Sequence, residues 1–144
     1  ANHLKERKQL DQRTYQRHRY RGASSNLFYA SVLDDDSASV FSGMILVEEG
    51  AHDTSAYQSI RNLILSPQAE SNSIPGLVIL ADRVQCSHGS ATSSISPEEI
   101  FYLLSRGIPE QTARSMIARG ILKHALDQFS DEAIRTAVEN IVLS

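Results

Sequence analysis

L-V-I-L-A-D-R-V-Q-C-S-H-G-S-A-T-S-S-I-S-P-E-E-I-F-Y-L-L-S-R-G-I, from Leu77 to Ile108, is where this chain changes character. Upstream of it the pattern favours strands; downstream it favours helices. The stretch holds the only cysteine, Cys86, with His88 two residues on and Gly89 directly after. In an extended segment successive side chains point to opposite sides, so Val84, Cys86 and His88 share a face. A thiol and an imidazole so placed can meet a metal or a sulfur species together. The same residues also suit a plainer role, with Cys86 as a small buried hydrophobe and His88 as a structural residue bonded to backbone.

Downstream, Ser96-Pro97-Glu98-Glu99 combines a cap, a first-turn proline and two acids that complement the helix dipole. Ile100, Phe101, Leu103 and Leu104 supply an apolar face, and Gly107 ends that helix. Pro109-Glu110 opens a second, with Ala113, Met116, Ile117, Ile121 and Leu122 as its stripe. Ser130-Asp131-Glu132 caps a third, carrying Ala133, Ile134, Ala137, Val138, Ile141 and Val142. Glu98, Glu99 and Arg106 read as helix-end charges.

Upstream, 27–33, 40–47, 57–66 and 77–86 read as short strands between polar turns, with 21–26, 34–37 and 74–76 as turns. Gly43 inside the second marks a bulge or a close backbone approach. His52, Asp53 and Thr54 read as turn-forming. Residues 9–20 are mostly polar, and 4–11 fit a single helical turn or a frayed start. The tight-hairpin dipeptides Asn-Gly and Asp-Gly are absent from the strand region. Stacked coils of a parallel β-helix fit that absence, and a sandwich fits the same pattern.

The 144 residues suffice for one domain with a sizeable core, and 41% hydrophobic with 22% charged residues is ordinary for a globular protein. No apolar run is long enough to span a membrane, and the start, A-N-H-L-K-E-R-K-Q-L, has no apolar signal segment. One cysteine makes no internal disulfide and no thiolate-rich metal site by itself, which points to a reducing, cytoplasmic setting. The net charge of −3 hides an asymmetry: residues 1–22 carry seven Lys/Arg against Glu6 and Asp11, net +5, and the rest −8. That basic segment carries no nucleic-acid motif, so it reads as a solvated or covered strand face, with no nucleic-acid partner. The phosphate-cradling G-x-x-x-x-G-K-[ST] loop is also absent, so ATP binding by that route is not expected.

Four phrases together carry a family resemblance: F-S-G-M-I (41–45), A-H-D-T-S-A-Y-Q-S-I-R-N-L-I-L-S (51–66), P-G-L-V-I-L-A-D-R-V-Q-C-S-H-G (75–89) and E-E-I-F-Y-L-L-S-R-G-I (98–108). The chain resembles the C-terminal part of the SufB/SufD family, the scaffold subunits of the SUF iron–sulfur cluster assembly machinery. C-S-H-G looks like the SufD branch, and the SufB-type catalytic cysteine has no counterpart. The resemblance implies a mainly β fold with added α: a right-handed parallel β-helix core (1–95), the last coils of a longer family core, then a small helical domain (96–144) that docks an ATPase. It implies SufC-like ATPase and SufB-like partners, a scaffold without enzymatic turnover, and a cytoplasmic or, in a eukaryote, plastid-stromal setting. A homodimer through the exposed end of the β-helix is a further expectation.

By the same resemblance His88 is the cluster-assembly residue and metal ligand, with further ligands from a partner chain, and Cys86 is its weaker companion. An iron–sulfur cluster would be held transiently, and not by this chain alone. Phe101, Tyr102, Arg106, Gly107 and Ile108 are the docking candidates for the ATPase. The sequence departs from the family pattern at Val78 and Arg83, where acids are usual, and in C-S-H-G-S-A-T-S. Arg83 would lower the tendency of its surroundings to hold a cation. The chain looks like a C-terminal fragment or a reduced relative. Two other readings stand beside the scaffold: a structural interaction module with inert Cys86 and His88, and a Cys/His metal-dependent enzyme.

Overall fold

The computed structural model describes residues 1–127, 129 and 131–142, the last three by backbone alone. Its strands are β1 (Asn2–Leu4), β2 (Gln9–His18), β3 (Ser24–Leu33), β4 (Ala38–Val47), β5 (Ser55–Ile64), β6 (Glu70–Ile79) and β7 (Gln85–Ser94). Three helices follow, α1 (Pro97–Leu104), α2 (Glu110–Leu126) and α3 (Glu132–Val142). The odd-numbered strands form one sheet in the order β1-β3-β5-β7, and the even-numbered strands a second, β2-β4-β6. Every pairing is parallel. Consecutive strands therefore lie in opposite sheets, and each strand pairs with the one a full coil later. The result is a parallel β-solenoid of about three turns, mainly β, with its helices at the C-terminal end. The missing hairpin dipeptides follow directly, because no turn here joins hydrogen-bonded neighbours.

The turns stack as the strands do. Gly22, Asp53 and Arg83, at φ +69°, +58° and +54°, occupy corresponding places on three coils, as Glu6 and Asp35 do on two. Backbone bonds run from coil to coil through these bends: Gly22 N–H to His52 O (2.9 Å), Ser55 N–H to Ala23 O (2.9 Å) and Gln85 N–H to Thr54 O (2.8 Å). Neighbouring bends thus satisfy backbone groups of one another, in both directions along the stack.

Alternation sends every second side chain between the sheets. Tyr29, Phe41 and Ile60 form one buried group there, and Ile45, Val47, Ala51 and Ala56 another. Asn62 links coils and sheets at once: its carbonyl accepts from Ser31, and its amide donates to Ser73 (3.1 Å) and Thr92 (3.3 Å). On the outer side of the odd-strand sheet, α2 buries Ala118 and Leu122 against Val32 and Leu63. In the basic N-terminal segment Arg7, Arg17 and Arg21 pair with Asp36, Glu48 and Asp53 of the next coil.

Several local expectations need correction. Residues 4–11 are not a helical turn: β1 ends at Leu4, a bend follows, and β2 begins at Gln9, where ten ladder partners on β4 outweigh the polar composition of 9–18. Ile74-Pro75-Gly76 is not a turn but the middle of β6, and 77–86 is not one strand: β6 ends at Ile79 and β7 begins at Gln85. β6 is the outermost strand of its sheet, where proline is tolerated. Met116, expected in the stripe of α2, is 49% exposed; Ala113, Ala118, Leu122 and Leu126 are the buried residues. Ser130, an expected cap, lies outside the described residues, as do the side chains of Ile141 and Val142. Asp131 Oδ1 accepts from the amides of Ala133 (2.8 Å) and Ile134 (3.1 Å) at the start of α3.

Candidate functional site

Cys86 and His88 both lie on β7, and the register fixes where they point. Cys86 pairs with Ala56 and His88 with Gln58, both buried, inward-facing residues of β5. The two candidates therefore share the inward face, as alternation requires, with α-carbons ~6.6 Å apart. Their surroundings differ. Cys86 is half-buried and packs with Leu77, Ala81 and Val84 against Ile45, Val47, Ala51 and Ala56. His88 is exposed, on the strand that ends the odd-strand sheet among the described residues. At Gly89 an added Cβ would lie 3.7 Å from the Tyr57 hydroxyl, an ordinary van der Waals contact. A Cys–His nucleophilic pair needs direct hydrogen-bond reach and an orienting third group. The apolar packing of Cys86 supplies neither.

Arg83 sits in the bend before β7, with its charge directed at Asp53. Its Nε donates to Asp53 Oδ1 (2.9 Å), and Arg21 Nε donates to Oδ2 (2.7 Å). The hydrogen bond from Arg83, then that from Arg21, hold the Asp53 carboxyl below its ordinary pKa of 3.8. His52 is likewise used by the bend, its Nδ1 accepting from the Asp82 amide (3.1 Å). The turn-forming reading of 52–54 thus holds.

Among the described residues no group of three or more His, Cys, Asp or Glu side chains could hold a metal ion. A metal at His88 would take its other ligands from outside this set. A groove of about 480 Å³ lies elsewhere, between α2 and the outer side of the odd-strand sheet, lined by Phe28, Arg61, Ala91, Ser93, Gly120 and His124.

The helix α1 is held by the expected capping box: Ser96 Oγ accepts from Glu99 N–H (3.1 Å) and Glu99 Oε2 from Ser96 N–H (3.2 Å). Its apolar residues are not buried, with Phe101 72% and Tyr102 53% exposed. Arg106 lies 4.0 Å above the Tyr102 ring. Gly107 takes φ +79°, and Ile108 N–H closes the bend onto Leu103 O (3.2 Å). The five residues 101, 102 and 106–108 therefore lie together at one end of a helix.

Residues 1–121 match the family model described as SUF system FeS cluster assembly, SufBD core domain. The chain belongs to the SufBD family. It is similar to the iron–sulfur cluster assembly protein SufD of Escherichia coli (strain K12), 34% identical over 128 residues, 89% of this chain and 30% of that protein. It is also similar to Protein ABCI7, chloroplastic, of Arabidopsis thaliana, 37% identical over 122 residues, 85% of this chain and 26% of that protein. The SufBD family protein slr0076 of Synechocystis sp. is 40% identical over 106 residues, 74% of this chain and 23% of that protein. This SufBD chain thus spans between 23% and 30% of the length of these relatives.

Sequence reasoning put Cys86 and His88 on one face of an extended segment, misplaced the strand that carries them, and gave no role to the polar residues Gln58 and Gln16. Gln58, Thr14 and Gln16 face inward in this SufBD core; Thr14 was a packing candidate in the sequence, and the signal for Gln58 was a glycine in an apolar strand, Gly43. An added Cβ there would lie 2.5 Å from both terminal atoms of Gln58, so the close approach expected at Gly43 is to that side chain.

Proposed function

We propose that this chain is a SufD-like scaffold component of the SUF system, taking part in iron–sulfur cluster assembly through complexes with SufB-like and SufC-like subunits. The observation that carries the reading is the placement of His88, an exposed imidazole at the uncovered last strand of the solenoid. A neutral imidazole nitrogen ligates iron, and thiolates from a partner chain would complete the set. The cluster is cargo, assembled and passed on. Cys86 supports the strand by packing, and its half-burial leaves it a secondary candidate for handling sulfur.

In this reading residues 1–95 present His88 and residues 96–144 dock the ATPase. Phe101 and Tyr102 offer aromatic area, Arg106 a cation, and Gly107 and Ile108 the bend that fixes their position. Aromatic residues and arginine are the types that dominate protein interfaces. A SufB-like subunit, or a second copy of this chain, would cover the uncovered strands β6 and β7. The setting is the cytoplasm or the plastid stroma; among the described residues no helix is long and apolar enough to cross a membrane.

The test is anaerobic reconstitution with iron and sulfide in the presence of SufB-like and SufC-like partners, comparing the native chain with His88→Ala. A complex that assembles normally and loses cluster absorbance supports the ligand role. Equal cluster in both would make the chain a structural partner only.

A further inference from the structure

Among the described residues four buried side-chain atoms between the sheets have no hydrogen-bond partner: Thr14 Oγ1, Gln16 Oε1, and both Oε1 and Nε2 of Gln58. Such atoms are costly to leave unpaired, so a folded protein normally satisfies them, with ordered water where protein groups do not reach.

The register places these atoms in one neighbourhood. Thr14 pairs with Gly43 across the β2–β4 ladder, and Gln16 lies two residues on, on the same face. Gln58 reaches Gly43 from the opposite sheet, with its terminal atoms filling the space that a Cβ at position 43 would take. Gln16 is oriented by its own bond, its Nε2 donating to Ser25 Oγ at 2.7 Å, which leaves Oε1 as the unused end. Ser25 Oγ in turn meets His18 Nε2 at 2.9 Å, so Gln16 is tied into a fixed polar group. Gln58 itself is 0% exposed.

The geometry points to a buried water site in the middle of the solenoid, at Gly43, walled by Thr14, Gln16 and Gln58. The chemistry matches water, which donates twice and accepts twice. The Gln16 carbonyl accepts, the Gln58 carboxamide accepts at one atom and donates at the other, and the Thr14 hydroxyl does either. Exchanging the oxygen and nitrogen of Gln58 changes nothing, because both ends lack a partner. Buried waters typically make two to four such bonds, and four protein atoms are on offer. Glycine at 43 makes room for the Gln58 amide, since any side chain there would occupy the space that the amide uses. The site lies on the ladder next to His88, whose partner on β5 is Gln58. It is nevertheless independent of any role for His88, as it is built from residues that the cluster chemistry does not use.

The experiment is a crystal structure of the full 144-residue chain at a resolution that shows ordered water, with Gln58→Met and Thr14→Val as variants. In parallel, water-to-amide NOEs are recorded on the Gln58 side-chain NH2. The expected result is density within about 2.7–3.2 Å of a Gln58 amide atom and of Thr14 or Gln16, with a long-lived water NOE. Both signals should be lost in Gln58→Met, and Thr14→Val should weaken them. A native chain whose Gln58 amide shows neither density nor NOE overturns the proposal. So does an amide that rotates onto a protein partner such as His88, or a water that stays in place in Gln58→Met. If a variant does not fold, the native density and NOE decide alone.

Discussion

Replacing Gly43 by alanine tests the packing between the two sheets most directly. The added methyl would lie 2.5 Å from both terminal atoms of Gln58 and 2.7 Å from Phe41 Cε1. Neither neighbour has an easy retreat. Gln58 is 0% exposed and Phe41 1% exposed, and the Phe41 ring is packed 4.5 Å, centroid to centroid, from Tyr29. Overpacking of this kind costs about 1–3 kcal/mol. Removing a glycine from a strand returns about 0.5–1 kcal/mol of backbone entropy. The expected net loss for Gly43→Ala is therefore about 0–2.5 kcal/mol in urea unfolding, with an unchanged m-value. A double-mutant cycle with Gln58→Ala isolates the clash, because shortening residue 58 vacates the contested space. The alanine at 43 should then cost at least about 1 kcal/mol less than it does opposite glutamine. Equal cost in both backgrounds would refute the close approach of the sheets at this point.

Two further outcomes follow from the helix and the bends. Leu122 is 1% exposed where α2 meets Val32 and Leu63, so Leu122→Ala should cost about 2–5 kcal/mol and speed hydrogen exchange along α2. A loss under about 1 kcal/mol would mean that α2 does not depend on this contact. Asp53 is held below its ordinary pKa by Arg83 and then Arg21, so its contribution is fully present above that ordinary value and fades as pH falls through the lowered one. Acid unfolding should be less steep there for Asp53→Asn than for the native chain, and identical profiles would show that the two arginines lend it no stability.

How much was legible in advance differs by element. The α1 cap was readable because Ser96, Pro97 and Glu99 act on backbone amides within one turn, so sequence spacing is also spatial spacing. The strand character of β4 and β5 was readable for a similar reason, since short apolar runs bounded by polar turns state their own period. β2 was not, because its Gln, Arg and Thr residues become a strand only through partners on β4, 29 positions later. Pro75 misled for the same reason: whether a proline ends a strand or sits at the edge of a sheet depends on what lies beside it.

For the site, alternation alone put Cys86 and His88 on one face, and the four family phrases supplied their expected role. Alternation could not say which face was the interior, nor that one residue would be packed and the other open. Packing decided that, because Cys86 has the apolar group around Ala51 and Ala56 against it while no such group packs on His88 among the described residues. The charge of Arg83 was visible in the sequence; its direction toward Asp53, thirty residues earlier, was not. The sequence by itself determined the local rules of this chain, its periods, caps and bends. The tertiary structure decided what only a coil-length separation can bring together: the Asp53 ion pairs, the polar group around Gln58, and the exposure of His88.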